Sequence, residues 1–236
     1  MRALSSSGLL DLWDKGSTLH PLDRGLLLLT AALPEVPLGS VADWPLGRRN
    51  RELFALHSFW FGSTLSARMA CSRCDEQMEF ELDCEELMPA NTATNQQLTV
   101  VFRGHTFRVP NSRDLAFGLA DESGPEKAAI RLLESCGLAS RDPASWSQED
   151  IASLGELMAQ ADPGAETRVR FRCTVCGHEQ EGVLDIAAFL WAEIVAHGKR
   201  LLREVHTLAS AYGWSEEQVL SLGATRRAFY LEMVEA

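Results

Sequence analysis

The residues of this 236-residue chain best placed to do chemistry are cysteines. Four of the six fall as pairs, Cys71-Ser72-Arg73-Cys74 and Cys173-Thr174-Val175-Cys176, while Cys84 and Cys136 stand apart. A CxxC turn aims two thiolates and several backbone N–H groups at one point, so two such turns make a tetrahedral four-thiolate set suited to zinc. Four thiolates leave no open position on the ion, which makes such a site structural rather than catalytic. The rival chemistry is a thioredoxin-like redox pair, in which CxxC opens a helix that lowers the thiol pKa. Here both pairs run through turn residues, Asp75-Glu76 and Gly177-His178, into alternating strands. That context favours zinc. His178 beside the second pair reads as a surface histidine, and Cys84 and Cys136 as small buried residues.

The elements that must position these thiols follow from periodicity. Gln77–Asp83 alternates cleanly as a strand after the first pair. Thr167–Arg172 alternates into the second pair, and Gln180–Leu184 returns as its partner. Residues 75–172 lie between the two pairs, far more than in a compact zinc ribbon, so the β region carries a long insertion. Within it, residues 98–109 read as a hairpin turning at Gly104-His105. Helical patterns follow near 113–119, 125–136 and 147–160, with Pro125 at a first helical position and Ser147 with Asp150 as a capping box. Before the first pair, helices are predicted over 22–33 and from about 48 to 66, joined by a Pro- and Gly-rich connector. After the second strand pair, Ile186, Leu190, Ile194, His197, Leu201, Val205, Leu208 and Tyr212 mark one face of a long helix ended by Gly213. Ser215 with Gln218 caps a short helix, and a last one covers 224–235.

Arg168, Arg170 and Arg172 put three guanidiniums on one strand face, the strongest nucleic-acid signal in the chain. Glu79, Glu81 and Asp83 form an equal acidic stripe after the first pair, and Glu179 and Glu181 another after the second. If a metal joins the two turns, these strands lie side by side and the charges answer one another. The remaining face, Met78, Phe80, Leu82, Val169 and Phe171, then forms core.

Composition narrows the classes further. The chain is 46% hydrophobic and 23% charged, with a formal net charge of −11, which suits a folded globular protein and excludes a collagenous or wholly disordered one. Its acidity weighs against gripping a phosphate backbone. No apolar run reaches the roughly 18–20 residues needed to cross a bilayer, and Leu26–Leu33 reads as a buried helix. Cysteines this sparse fit a reducing cytoplasmic compartment rather than a disulfide scaffold. No phosphate-binding glycine loop, nucleophile elbow or HExxH occurs. Glu193 and His197 lie one helical turn apart, which makes them the leading acid/base candidates should the chain be an enzyme. Trp60 and Phe61 crowd one helix and Trp191 another, as core or as anchors for a protein partner.

The chain also carries an ordered series of local motifs. Leu46-Gly47-Arg48-Arg49-Asn50-Arg51 is followed by Phe61-Gly62, the first CxxC, and Phe107-Arg108-Val109-Pro110-Asn111-Ser112-Arg113-Asp114-Leu115. Then come Cys173-x-x-Cys176-Gly177, the run 185–194 and Tyr212-Gly213-Trp214-Ser215-Glu216. Over residues 20–235 this series resembles the T4-type bacteriophage baseplate proteins, the hub-assembly group found also in contractile injection system gene clusters. The resemblance implies a non-enzymatic assembly factor or minor component of a baseplate hub, binding hub or spike proteins, with no small-molecule substrate. It adds weight to Cys71, Cys74, Cys173 and Cys176 as zinc ligands.

The expectation is therefore an α+β chain with a zinc-ribbon-like antiparallel β core, a long inserted segment, flanking helices and a helical tail. Residues 1–20 are expected to be loosely ordered, 21–70 helical, 71–184 the β region with its insertion over 84–165, and 185–236 helical, all in one compact unit. Trp60, Phe61, Trp191, Glu193, His197 and Trp214 are the expected partner-binding residues. The product is expected in the bacterial cytoplasm or within an assembled particle. The alternative is a zinc-ribbon nucleic-acid-binding or transcription-associated protein using Arg168, Arg170 and Arg172.

Overall fold

The computed structural model describes residues 1–88, 98–119, 124–138 and 146–235, so parts of the insertion lie outside the described residues. In chain order the first elements are α1 (Ser6–Ser17), α2 (Pro21–Ala32), α3 (Leu38–Ala42), α4 (Leu46–Phe61), β1 (Thr64–Ala70) and β2 (Gln77–Asp83). Next come α5 (Cys84–Leu87), β3 (Thr99–Phe102), β4 (His105–Arg108), α6 (Ser112–Leu119), α7 (Pro125–Cys136) and α8 (Gln148–Ala161). A 3-10 turn (Pro163–Ala165) leads to β5 (Thr167–Arg172), β6 (Glu179–Leu184), α9 (Ile186–Tyr212), α10 (Glu216–Ser221) and α11 (Ala224–Glu235). The α+β class is as expected. Among the described residues, however, the strands form three separate antiparallel pairs, β1-β2, β3-β4 and β5-β6, instead of one β core. Among the described residues no helix is long and apolar enough to cross a membrane.

The chain divides into two compact units, Met1–Pro34 with Ala187–Ala236, and Glu35–Ile186, where one unit was expected. The division follows from where the N-terminal leucines go. Residues 1–20 are not loose: the Ser5 side chain caps α1 by accepting from the Gly8 N–H at 3.0 Å, and Leu9, Leu10 and Leu12 are buried. The Ser5-Ser6-Ser7-Gly8 run that suggests a loop is instead a helix start. Gly16 of α1 packs against the Trp191 ring of α9, and Gly198 of α9 against Trp13. Arg24 lies 5.0 Å over Trp191 and donates to the Gly16 and Ser17 carbonyls at the end of α1. Toward the other end of α9, Val205 and Leu208 form a core with Val219, flanked by Trp214, Tyr230 and Leu231. Such contacts join the two ends of the chain, which local periodicity does not report.

In the unit Glu35–Ile186, α4 is the organising helix, with Leu53, Phe54, Leu56 and His57 buried. It stops at Phe61, short of the expected 66, because Gly62 turns the chain at φ 100. Residues 64–70 are then free to pair as β1 with β2. A second cluster, Phe107, Leu133, Cys136, Leu154 and Met158, gathers β4, α7 and α8. The β3-β4 hairpin turns at Arg103 and Gly104, both at positive φ, one residue before the expected position.

Polar groups fix the roots of the strands on α4. The Gly47 N–H donates to Asp162 Oδ2 at 2.8 Å, and Asn50 Nδ2 donates to the Gly164 and Ala165 carbonyls at 3.0 Å. Arg49, also buried, bonds Asn50 Oδ1; burial lowers its pKa against the pull of Asp185. Nearby, Asp114 accepts two bonds from Arg108, one from Ser135 Oγ and one from the Asn111 N–H.

Candidate metal centre

The two CxxC turns are built alike. In the first, the Cys71 N–H bonds the Glu76 carbonyl at 2.9 Å and the Asp75 N–H bonds the Cys71 carbonyl at 2.9 Å. In the second, the Cys173 N–H bonds the His178 carbonyl at 2.8 Å and the Gly177 N–H bonds the Cys173 carbonyl at 3.0 Å. The turn residues Asp75 and Gly177 both take the left-handed conformation, at φ 56 and φ 67. That position suits Gly, and among other residues Asp and Asn tolerate it best, which explains its occupants here. Each turn sits at the tip of a strand pair, with Ala70 opposite Gln77 in one and Arg172 opposite Glu179 in the other. The tips therefore have the same fold, separated along the chain by the insertion.

The tips meet. The sulfurs of Cys71, Cys74, Cys173 and Cys176 all lie within 4.8 Å of one another. Cys71 Sγ is 3.6 Å from Cys176 Sγ, and Cys74 Sγ is 3.7 Å from Cys173 Sγ. A tetrahedron with zinc–sulfur bonds of about 2.3 Å has an edge of about 3.8 Å, so the spacing fits one ion held by four thiolates. Disulfides need sulfurs about 2.05 Å apart, and all six cysteines are free thiols. The Arg73 N–H points at Cys71 Sγ from 3.4 Å, the kind of contact that stabilises a bound thiolate. Backbone N–H groups of Cys176 and Val175 draw the Cys173 thiol down to about 7. At Cys74 the Glu76 backbone acts in the same direction, but the neighbouring thiols prevail and hold it up at about 12. Four thiolates this close repel one another, and a cation held among them would offset that repulsion.

Beneath the sulfurs, Met78 joins Cys71 and Cys173 in an apolar cluster with Phe80 and Phe171, whose rings lie 5.4 Å apart. Gln180 of β6 reaches across to β1 and its turn. Its Oε1 accepts from the Ser72 N–H at 2.8 Å and its Nε2 donates to the Ala70 carbonyl at 3.0 Å. Met69 of β1 packs on Gly182 of β6, where a Cβ would collide with it.

The expected pairing between the arginine stripe and Glu79, Glu81 and Asp83 is not made, because β5 pairs with β6 and not with β2. Arg168 and Arg170 instead bind Glu181, each at 2.9 Å, and Arg168 also binds Glu166. Glu79 is taken by Arg68 of β1. Internal pairing holds through Glu181, from the acidic stripe that follows the second pair, while the unforeseen strand β1 supplies the cation for Glu79. Its signals were available, Gly62 as a helix stop and the alternation of Leu65, Ala67 and Met69 after it.

The other expected site residues are dispersed. Trp60 and Phe61 sit half-buried at the end of α4, ring to ring at 6.4 Å. Trp191 is buried against Gly16 and Arg24 within its own unit, so it is core there. Trp214 is half-buried between Tyr212 and Tyr230 at 4.8 and 4.9 Å. His197 Nδ1 lies 3.5 Å from Glu193 Oε2 and 3.0 Å from the Glu193 carbonyl, a pairing within one helical turn. Sequence reasoning did not single out Gln180, Asp162 or Asn50, whose long-range polar contacts have no local pattern.

Compared with protein-family models, with curated proteins and with solved structures, the chain matches none. The four-cysteine cluster is thus the feature on which a functional reading must be built. Its arrangement can bind a soft divalent cation and hold two tips together.

Proposed function

We propose that this protein is a zinc-stapled, non-enzymatic scaffold that helps build the baseplate hub of a phage-tail-like contractile injection system. The convergence of Cys71, Cys74, Cys173 and Cys176 on one point carries the metal part of the reading. Zinc is the ion of choice for a compact tetrahedral set of four thiolates, and with no open position it serves stability rather than catalysis. The assembly role rests on the resemblance of residues 20–235 to the hub-assembly group. Under this reading the half-buried pair Trp60 and Phe61 belongs to the partner surface, with hub or spike proteins as partners.

The test is to delete the gene in the host and to purify a tagged copy from it. Hub or spike components should co-purify, and particles should be absent or lack a hub. Fully loaded particles formed without the gene would overturn the assembly role.

A second reading has one observation in its favour. Arg168 and Arg170 are exposed, at 58% and 88% of the side-chain surface, on a face beside the metal centre. A zinc-ribbon protein could present them to nucleic acid. Against it, Glu181 accepts from both, so the face offers little uncompensated charge for phosphate.

A further inference from the structure

The two cysteine-bearing hairpins are anchored separately on one helix. The first arm, β1-β2, leaves α4 through Gly62 and returns to it through α5. There the Cys84 N–H bonds the Ser63 carbonyl at 2.8 Å, and buried Cys84 Sγ sits 3.4 Å from Nδ1 of buried His57. The second arm, β5-β6, starts just after Ala165, whose carbonyl with that of Gly164 is held by Asn50. Asn50 and Phe61 are eleven residues apart on α4, roughly 16 Å at helical rise. The roots are therefore well separated, yet the tips bring four sulfurs within 4.8 Å.

Among the described residues little else joins the arms. No ladder hydrogen bond runs between them, since each is its own two-stranded sheet. The bridging contacts include those of Gln180 with Ser72 and Ala70, Met69 on Gly182, and the small apolar cluster of Met78, Phe80 and Phe171 beneath the sulfurs. A two-stranded hairpin without further packing is marginal in water. At the root of the first arm, Gly62 has positive φ, a conformation that glycine adopts freely, and a Cβ there would meet nothing within 4 Å.

We infer that the metal centre is the clasp of a two-armed jaw: with the ion bound the arms are closed tip to tip, and with it removed they part while α4 and the packing around it persist. This rests on reading the four cysteines as metal ligands. Metal occupancy then controls the state of one region of the scaffold instead of the folding of the whole. The roots keep their own anchors at His57–Cys84 and Asn50, which contain no metal ligand, and the Phe107 cluster lies on other elements.

The test is hydrogen exchange read by mass spectrometry on the full chain loaded with zinc, before and after a high-affinity zinc chelator, with metal content measured alongside. Removal should speed exchange about tenfold or more in residues 64–83 and 167–184, and leave α4 and α8 within about twofold. Re-adding zinc should restore the slow pattern. The Cys74→Ser chain, purified without chelator, should show the open pattern from the start. If the purified chain holds no zinc and takes none up, the metal reading falls and the clasp with it. If zinc is bound but its removal leaves both hairpins slow, or releases α4 and α8 together with them, the clasp alone is overturned.

Discussion

Cys71 and Cys176 face each other at 3.6 Å although 105 positions separate them in the chain. Each is set by a short turn whose hydrogen bonds are local, so each half of the site is prepared by its own hairpin. Only the meeting of the halves is long-range. A site divided in this way makes a sharp distinction between the four paired cysteines and the other two. Zinc should be present at about one per chain, and Ser at Cys71, Cys74, Cys173 or Cys176 should each abolish stoichiometric retention. Ser at Cys84 or Cys136 should keep the metal, because both thiols are buried away from the sulfur cluster. Elemental analysis of the six variants checks this. Loss of zinc from the Cys84 or Cys136 variant while folded would refute the assignment.

The legible part of this molecule was the part with local causes. Both CxxC turns, the β5-β6 pair, the Ser147 and Ser215 capping boxes and the long α9 are set by neighbours a few positions away. What was not legible depended on partners far along the chain. Leu9, Leu10 and Leu12 make α1 a packed helix, but in sequence they follow a serine run that reads as a loop. Glu79 has its cation on β1, a strand hidden by the apparent continuation of α4 past Gly62. The division into two units follows from Trp191 meeting Gly16, a contact between opposite ends of the chain. The cysteines declared their chemistry but not that each hairpin stands as a separate sheet.

The contact of Gly47 with Asp162 gives a second prediction. A Cβ at Gly47 would strike the Asp162 carboxylate and crowd the Gly164 backbone, and would disturb the N–H bond that Asp162 accepts. Gly47→Ala should cost about 2–3 kcal/mol. Asp162→Ala removes the obstructing group, so the double variant should lose clearly less than the sum of the two single losses. Urea unfolding of the four chains measures that coupling. Strict additivity would mean the two residues do not constrain each other.

Asp114 sets a pH dependence. Burial acts to raise its pKa, but the Arg108 guanidinium, Ser135 Oγ and the Asn111 N–H together hold it below the usual carboxylate range. A carboxyl depressed in the folded state contributes stability that is fully present above its unfolded pKa, about 3.9, and is lost as pH falls through the folded value. Asp114→Asn should therefore cost about 2–4 kcal/mol at pH 7, since it leaves Arg108 half of a largely buried pair. The gap between variant and parent should narrow as the pH drops below about 4. Denaturant midpoints at pH 7 and pH 3 decide it. A gap that widens toward acid would reverse the assignment.

Trp191 and Trp60 were alike as candidate anchors, and their surroundings now separate them. Trp191 is buried, fills the space that Gly16 leaves open and lies under the Arg24 guanidinium. Its removal opens a cavity in a packed core, so Trp191→Ala should cost about 3–5 kcal/mol whatever the protein binds. Gly16→Ala, which pushes on the same ring, should also destabilise. Trp60 is half-buried beside Phe61 at the end of α4, and Trp60→Ala should cost less, about 1–2 kcal/mol. If Trp60 lies on the partner surface, that modest loss will accompany a large loss of hub components in co-purification, because interface anchors act well beyond their share of the area. Comparing thermal unfolding with co-purification for the two variants separates core from contact. Full partner recovery with Trp60→Ala would remove this tryptophan from the surface and leave the end of α4 as structure alone.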